Sequence, residues 1–363
     1  MMKTAPEQTA AQWRQLRTVL PDAAQIRQFL ACGAVMAWSE DRWIVAWGEA
    51  ERSSRPNPTR PSFYAPDFFL GDTKPWRIYP EISAVSPDGL AQLLSLHETK
   101  RAWQRFDEAR FAVAFGKVMD AFRESRLRKA VPAVFETSRG ALTANERERS
   151  LRAAANLPSG LMPYGFWDEN GGVIGASPEL LFEDDGVEIH TVAVAGTSRS
   201  GASPEEMMDD PKERDEHKLV LDDVASQLAP LGHVTNGATR LWRIGMLSHL
   251  RTDLRIAPHK PVEFAALVER LHPTPAVGIA PRGDWREIIA GIDEAPRGFF
   301  GAPFGLRFPD GHSRCLVSIR GLQWDCQTTY CGAGCGIVPG SKLERELAEL
   351  RLKIAATRGN LGL

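Results

Sequence analysis

The stretch PKERDEHKLVLDDVASQL, Pro211 to Leu228, decides how the rest of the chain is read. Pro211 suits the first turn of a helix, where its missing N–H costs nothing. At about 100° per residue, Glu213, Glu216, Val220 and Val224 then fall within one narrow arc. Two carboxylates thus share the face whose valines should meet a core. An unpaired carboxylate is too costly to bury, so the pattern calls for a cation, a hydrogen-bonding cage or a raised pKa.

The last helix poses the same puzzle. In GSKLERELAELRLKIAATRGNLG, Ser341 and Glu344 have the spacing of a capping box, which would mark the start. Leu343, Leu347, Leu350 and Ile354 form an apolar stripe, with Glu346, Glu349 and Lys353 immediately beside it. Alone, that charged stripe reads as a solvated flank. Beside Glu213 and Glu216 it reads differently, because two helices each offer carboxylates three residues apart on or next to a buried face. Hard oxygen ligands in small number, completed by water and substrate, suit Mg²⁺ better than zinc or calcium. A further carboxylate, Glu179 in GVIGASPELLF, interrupts an apolar strand-like run after Ser177-Pro178 and implies a bulge there. A carboxyl in such surroundings keeps its proton near neutral pH and can donate it, unless it is merely an exposed edge residue.

The 363 residues are 43% hydrophobic and 25% charged, enough for one large core or two smaller ones. The net charge of -2 comes from intermixed acids and bases, with no basic face for nucleic acid. No apolar run is long enough to span a membrane and the first residues are polar, so a cytoplasmic protein is expected, as a monomer or a homodimer. Five cysteines without paired CxxC spacing read as reduced, packed thiols.

GAVMAWS and RWIVAWG read as a strand hairpin, ERSSRPNPTRPSFYAPDF as a surface loop, and Asp107 to Arg126 as a helix. Strand-like runs follow to Gly196, then helices over Pro204 to Leu231, Pro261 to Leu271 and Asp284 to Gly291. GAPFGLRF and SRCLVSIRGLQW are strands, before a glycine-rich strand end and the final helix. Strands and helices in blocks argue for an α+β fold over a doubly wound sheet. No repeat or long linker divides residues 1–363, so one domain is expected.

Nine motifs in order resemble the chorismate-utilising enzymes: isochorismate and salicylate synthases and the large subunits of anthranilate and aminodeoxychorismate synthases. They are GASPELLF (175–182), AGTSRSG (195–201), KERDEH (212–217), His249-Leu250, LHPTPAVG (271–278), PRGFFG (296–301), SIR (318–320), AGCGIVPGS (333–341) and ERELAELRLK (344–353). The chorismate-binding region would cover 108–357, with residues 1–107 an undiagnostic part of the same fold. The resemblance implies an α+β fold with a large sheet core, outer helices and a deep cleft binding chorismate through Mg²⁺. It makes Glu216 and Glu349 the Mg²⁺ ligands, supported by Glu213 and Glu346. It makes Glu179 the general acid for the C4 hydroxyl and Lys129 the base for water attacking C2. Arg320 and Lys353 would pair with substrate carboxylates, the backbone at Gly196, Thr197 and Gly334 would line the pocket, Ala276 would form a wall, and His249 would be a neutral hydrogen-bonding group.

Within that family, Ala195 stands where aminodeoxychorismate synthases often carry a lysine, and Lys129 where anthranilate synthases typically have glutamine. The hydroxyls that salicylate synthases place at positions 276 and 300 are absent. An isochorismate synthase is therefore expected, the alternatives being an aminating or salicylate-forming relative, or a chorismate-binding protein without catalysis. Ile279 and Ala302 replace glycines of relatives, and both are expected to narrow the cleft.

Overall fold

The computed structural model describes residues 21–98, 100–199, 204–244 and 247–363, with residues 197–199, 204–206 and 247 described by their backbone alone. Two large sheets pack face to face, and every strand pairing in them is antiparallel. The first runs, edge to edge, Glu81–Val85, Trp43–Trp47, Gly33–Ala37, Met162–Trp167, Gly171–Ser177, Gly321–Asp325, Thr328–Gly334 and Ala133–Arg139. The second runs Gly232–Asn236, Leu247–Pro258, Ile189–Arg199, Leu180–Asp184, Ser313–Val317, Pro303–Arg307, Ser62–Tyr64, Trp76–Ile78 and Glu51–Ser53, with Arg240–Ile244 also on Leu247–Pro258.

Both faces of each sheet are covered, which is why GAVMA and WIVAW are buried at every position. Alternation along the strand splits their side chains between two layers. Ala34 and Met36 meet Phe63, Val192, Val194 and Phe304 between the sheets. Val35 and Ala37 turn outward to Phe29 and Leu30 of the helix Ala23–Ala31. On the far side, Val220, Val224 and Leu228 of the helix Pro211–Leu228 cover the second sheet. The C-terminal helix Leu343–Asn360 covers the end of the first sheet at Thr328–Gly334. The α+β class and the helix–sheet–sheet–helix layering follow from this double covering.

The hairpin and the helix Glu108–Arg123 form where their patterns place them. Other expectations are corrected. The Pro/Ser/Arg-rich stretch holds two strands of the second sheet, Glu51–Ser53 at its edge and Ser62–Tyr64 between Pro303–Arg307 and Trp76–Ile78. The helix Ala144–Ala154 has no apolar stripe long enough to announce it; its buried face includes Glu146 and Glu148, paired with Arg101 and His97. The C-terminal helix has Lys342 at its N-cap and no side-chain cap, because Ser341 Oγ instead accepts the Val338 N–H at 3.1 Å. All five cysteines are free; Cys315, Cys331 and Cys335 are packed in the interior, whereas Cys32 is half-buried and Cys326 is exposed, so the expectation of packed thiols is corrected there. No helix among the described residues is long and apolar enough to cross a membrane.

Candidate active site

Two adjacent segments carry the chain from one sheet to the other. Gly171–Ser177 lies in the first sheet and Leu180–Asp184 in the second, so Pro178 and Glu179 make the transfer. Ser313–Val317 and Gly321–Asp325 reverse it, with Ile319 and Arg320 between them. The expected bulge after Ser177-Pro178 is thus a change of sheet, with a register shift just beyond it between Leu180 and Phe182. The crossings are laced together: the Val317 N–H donates to the Glu179 carbonyl at 3.0 Å, the Ala176 N–H to the Arg320 carbonyl at 3.1 Å, and Ser177 Oγ to the Val317 carbonyl at 2.6 Å. Arg320 takes a left-handed φ of 56°, unusual for a residue with a Cβ.

Beside the crossings is a pocket, and the groups on its lining rather than its size point to a small polar ligand. Lys129, Glu179, Gly196, Glu216, His249, Ala276, Arg320, Gly334 and Lys353 all line it, with Ala195, Phe300 and Gly336. Thr197, described by its backbone alone, pairs with His249 at the kink where Gly196 takes a φ of 73°. Glu213, Glu346 and Glu349 are not on the lining; they stand behind Glu216 and Lys353. Ile279 and Ala302, each 1% exposed, are packed in the apolar core rather than on the pocket wall, so the expected narrowing is absent.

Glu179 is 5% exposed and accepts one hydrogen bond to its carboxyl, from Thr274 Oγ1 at 3.1 Å. Burial pushes its pKa up to about 7, against the pull of Thr274, Lys129 and Lys353. It therefore holds a proton through much of the neutral range. His249 is 6% exposed, its Nδ1 3.1 Å from the Gly196 carbonyl oxygen. Burial first, then the Arg320 and Lys353 charges, bring it down to about 3, so it is neutral. Burial also lowers Arg320 to about 10, which leaves it cationic near neutrality. Among the described residues no hydrogen bond or ion pair claims its side chain, and the residue is on the pocket lining.

The carboxylate puzzle resolves around Lys212. Its Nζ lies 3.2 Å from Glu346 Oε1 and 3.4 Å from Glu213 Oε1. Burial disfavours its charge, but Glu216, Glu346, Glu213 and Glu349 together hold its pKa well above the ordinary lysine value. Glu349 pairs with Lys353 at 2.6 Å; burial opposes its ionisation, yet Lys353, Lys212 and Arg320 hold it below the usual carboxylate range. Glu346, 1% exposed, is raised by burial in spite of Lys212, and Glu349 adds to the rise. Neither of its carboxylate oxygens completes a well-aligned hydrogen bond.

Among the described residues no three His, Cys, Asp or Glu side chains converge as a ready cage. The cluster nevertheless fits Mg²⁺, which is commonly held by one or two carboxylates plus substrate oxygens and water, because Glu213, Glu216, Glu346 and Glu349 bring four carboxyl groups against the ammonium groups of Lys129, Lys212 and Lys353. Lys353 also donates to the Gly334 carbonyl at 2.8 Å, so it is shared between helix and pocket wall.

Lys129 is fully buried with Nζ 3.0 Å from Glu216 Oε1, though without the alignment of a hydrogen bond. Gly336 makes this approach possible: a Cβ there would lie 2.0 Å from Glu216 Oε1 and 2.9 Å from Lys129 Cε. Sequence reasoning missed Lys212, Thr274 and Gly336. Lys212 precedes Glu216 by one turn on the same arc, a signal present in the helical wheel. Thr274 and Gly336 carried none, since their contacts join distant segments.

Residues 84–362 match the sequence profile of the family described as chorismate binding enzyme. The chain is 34% identical over 194 residues to the salicylate biosynthesis isochorismate synthase of Pseudomonas aeruginosa, covering 51% of this chain and 41% of that protein. It is 29% identical over 215 residues to anthranilate synthase component 1 of Aeropyrum pernix, covering 55% and 49%. These alignments span about half the length of the curated relatives or less. The solved structure of MenF, the menaquinone-specific isochorismate synthase of Escherichia coli, superposes with a TM-score of 0.77 over 97% of this chain and 98% of that one, at 18% identity, a likeness of fold.

Proposed function

The chain belongs to the chorismate binding enzyme family, and on that premise we propose that it is an isochorismate synthase, an isomerase that moves the hydroxyl of chorismate from C4 to C2. The observation that carries this reading is the lining of one pocket. Lys129 and Glu179 are both on it, Ala195 supplies no nucleophile, and Ala276 and Phe300 present no hydroxyl.

In the proposed reaction Lys129 takes a proton from the water whose oxygen bonds to C2. The ring's two double bonds shift, and Glu179 gives its proton to the C4 hydroxyl, which leaves as water. One water enters and one departs, and the proton gained by Lys129 returns to Glu179 by exchange with solvent. The raised pKa of Glu179 gives it the proton this role needs. The unclaimed guanidinium of Arg320 suits a bidentate grip on one substrate carboxylate, with Lys353 serving another. The backbone at Gly196, Thr197 and Gly334 allows close approach of the ring. Neutral His249 orients polar groups without adding charge.

Glu216 and Glu349 would hold Mg²⁺, with Glu213 and Glu346 behind them, and the ion would neutralise a substrate carboxylate when bound. Glu216 also touches Lys129, so a cation that engages this carboxylate takes the ion-pair partner of the proposed base. The test is to incubate purified protein with chorismate and Mg²⁺ and identify the product by chromatography. Isochorismate, formed without ammonia and lost on chelation, is expected. Turnover that requires ammonia or glutamine, or that yields salicylate and pyruvate, would overturn the reading.

A further inference from the structure

Lys129 belongs to neither large sheet. It lies in a ribbon of its own, Lys129–Ala130 paired antiparallel with Ile279–Ala280, and the Val131 N–H extends the ribbon by donating to the Gly278 carbonyl at 3.0 Å. At its end stands Arg297, 0% exposed. Arg297 Nη2 donates to the Val131 carbonyl and Nη1 to the Val277 carbonyl, each at 2.6 Å. Its Nε and Nη2 also reach the two Asp293 oxygens at 2.6 and 3.1 Å, and its guanidinium lies 4.3 Å from the centre of the Phe68 ring. Asp293 Oδ1 in turn accepts the Ala133 N–H at 2.9 Å.

One held carbonyl is two residues beyond Lys129, and the other is one residue beyond Ala276. A third wall is tied in as well. Gln323 Nε2 donates to the Arg297 carbonyl at 2.8 Å while Gln323 Oε1 accepts the Phe299 N–H at 2.6 Å, which fixes the turn leading into Phe300. An ion pair serving stability alone would need only Asp293. Here the planar guanidinium spends its remaining donors on the backbone beside the proposed base and beside the pocket wall, a task its rigid fork suits and an ammonium does not.

We infer that Arg297 is a positioning residue: by fixing the Val131 and Val277 carbonyls relative to each other, it sets where Lys129 stands against the Ala276–Val277 wall, and so the direction from which water is delivered. This rests on the reading of Lys129 as base. Arg297→Lys keeps a cation opposite Asp293 but cannot reach both carbonyls. In the folded variant, assayed well below its melting temperature, kcat should fall about 10- to 100-fold while KM for chorismate stays within about 3-fold. A kcat within about 2-fold of wild type, or a rise in KM alone, overturns the inference. Should Arg297→Lys fail to fold, Asp293→Asn, which keeps an acceptor for Ala133 but removes the charge that aims the fork, is expected to give the same kcat loss. If wild type itself leaves chorismate unchanged with Mg²⁺, the functional reading falls and takes the inference with it; an active wild type beside an unimpaired folded variant sinks the inference alone.

Discussion

Glu179 and Glu349 serve the same pocket, both largely out of water, and their protons behave in opposite ways. Glu179 has one hydroxyl for company and is raised to about 7, whereas Glu349 has Lys353 at 2.6 Å and is held below its ordinary value. Burial pushes both upward, so the nearest cation decides the outcome. A carboxyl kept neutral can donate a proton, and one kept ionised can meet a dication. In the proposed reaction the two regions would divide those tasks by neighbourhood, since the residue type is the same.

The largest effect should come from removing the donor. Glu179→Gln is expected to lower kcat by about 10³- to 10⁴-fold, with chorismate affinity, measured by calorimetry, changed only a few-fold. In wild type the acid form of Glu179 declines above about pH 7, so kcat should have an alkaline limb there that an unperturbed carboxyl would not produce. The stability sign runs the other way from a salt-bridged acid. With a folded pKa above the unfolded 4.5, Glu179 withdraws stability as pH rises from the unfolded value towards about 7. Glu179→Gln should therefore stabilise the fold at pH 8, by up to about 3 kcal/mol, and change it little at pH 4. Equal melting shifts at both pH values would erase the contrast between the two acids.

Gly336→Ala strikes the contact that joins the regions, since its Cβ would meet Glu216 Oε1 and Lys129 Cε. A loss of about 10²- to 10³-fold in kcat/KM is expected by steady-state kinetics. Lys212→Met leaves the cluster without its central ammonium. In chelator its unfolding free energy should drop by about 2–4 kcal/mol, and added Mg²⁺ should raise Tm more than in wild type. If Mg²⁺ stabilises both proteins equally, ammonium and dication do not share the cluster. The smallest effect is that of Thr274→Val, which removes the hydrogen bond that lowers the Glu179 pKa. The alkaline limb of kcat should move upward by less than about one pH unit.

Much of the site was legible because helical periodicity is local. Glu213, Glu216, Val220 and Val224 share a buried face as their spacing requires. The apolar setting of Glu179 was legible in the same way: the residue is buried, and burial raises its pKa. What the sequence could not announce is pairing between distant strands. Glu179 looked like a bulge because the residues that make it a crossing, Val317 and Arg320, lie some 140 positions away. Lys212 looked like any lysine at a helix start until Glu346 was folded against it. The capping box at Ser341 failed because the helix is capped one residue later, at Lys342, while the Ser341 hydroxyl accepts the Val338 N–H.

The strands contributed by residues 33–85 close one side of each sheet. Gly33–Ala37 abuts Met162–Trp167 in the first, and Ser62–Tyr64 abuts Pro303–Arg307 in the second. None of them supplies a residue to the pocket lining. Cut away, they would leave two raw backbone ladders side by side, an invitation to aggregate. These strands, outside the pocket lining, would thus govern whether the remainder can stay dispersed in water.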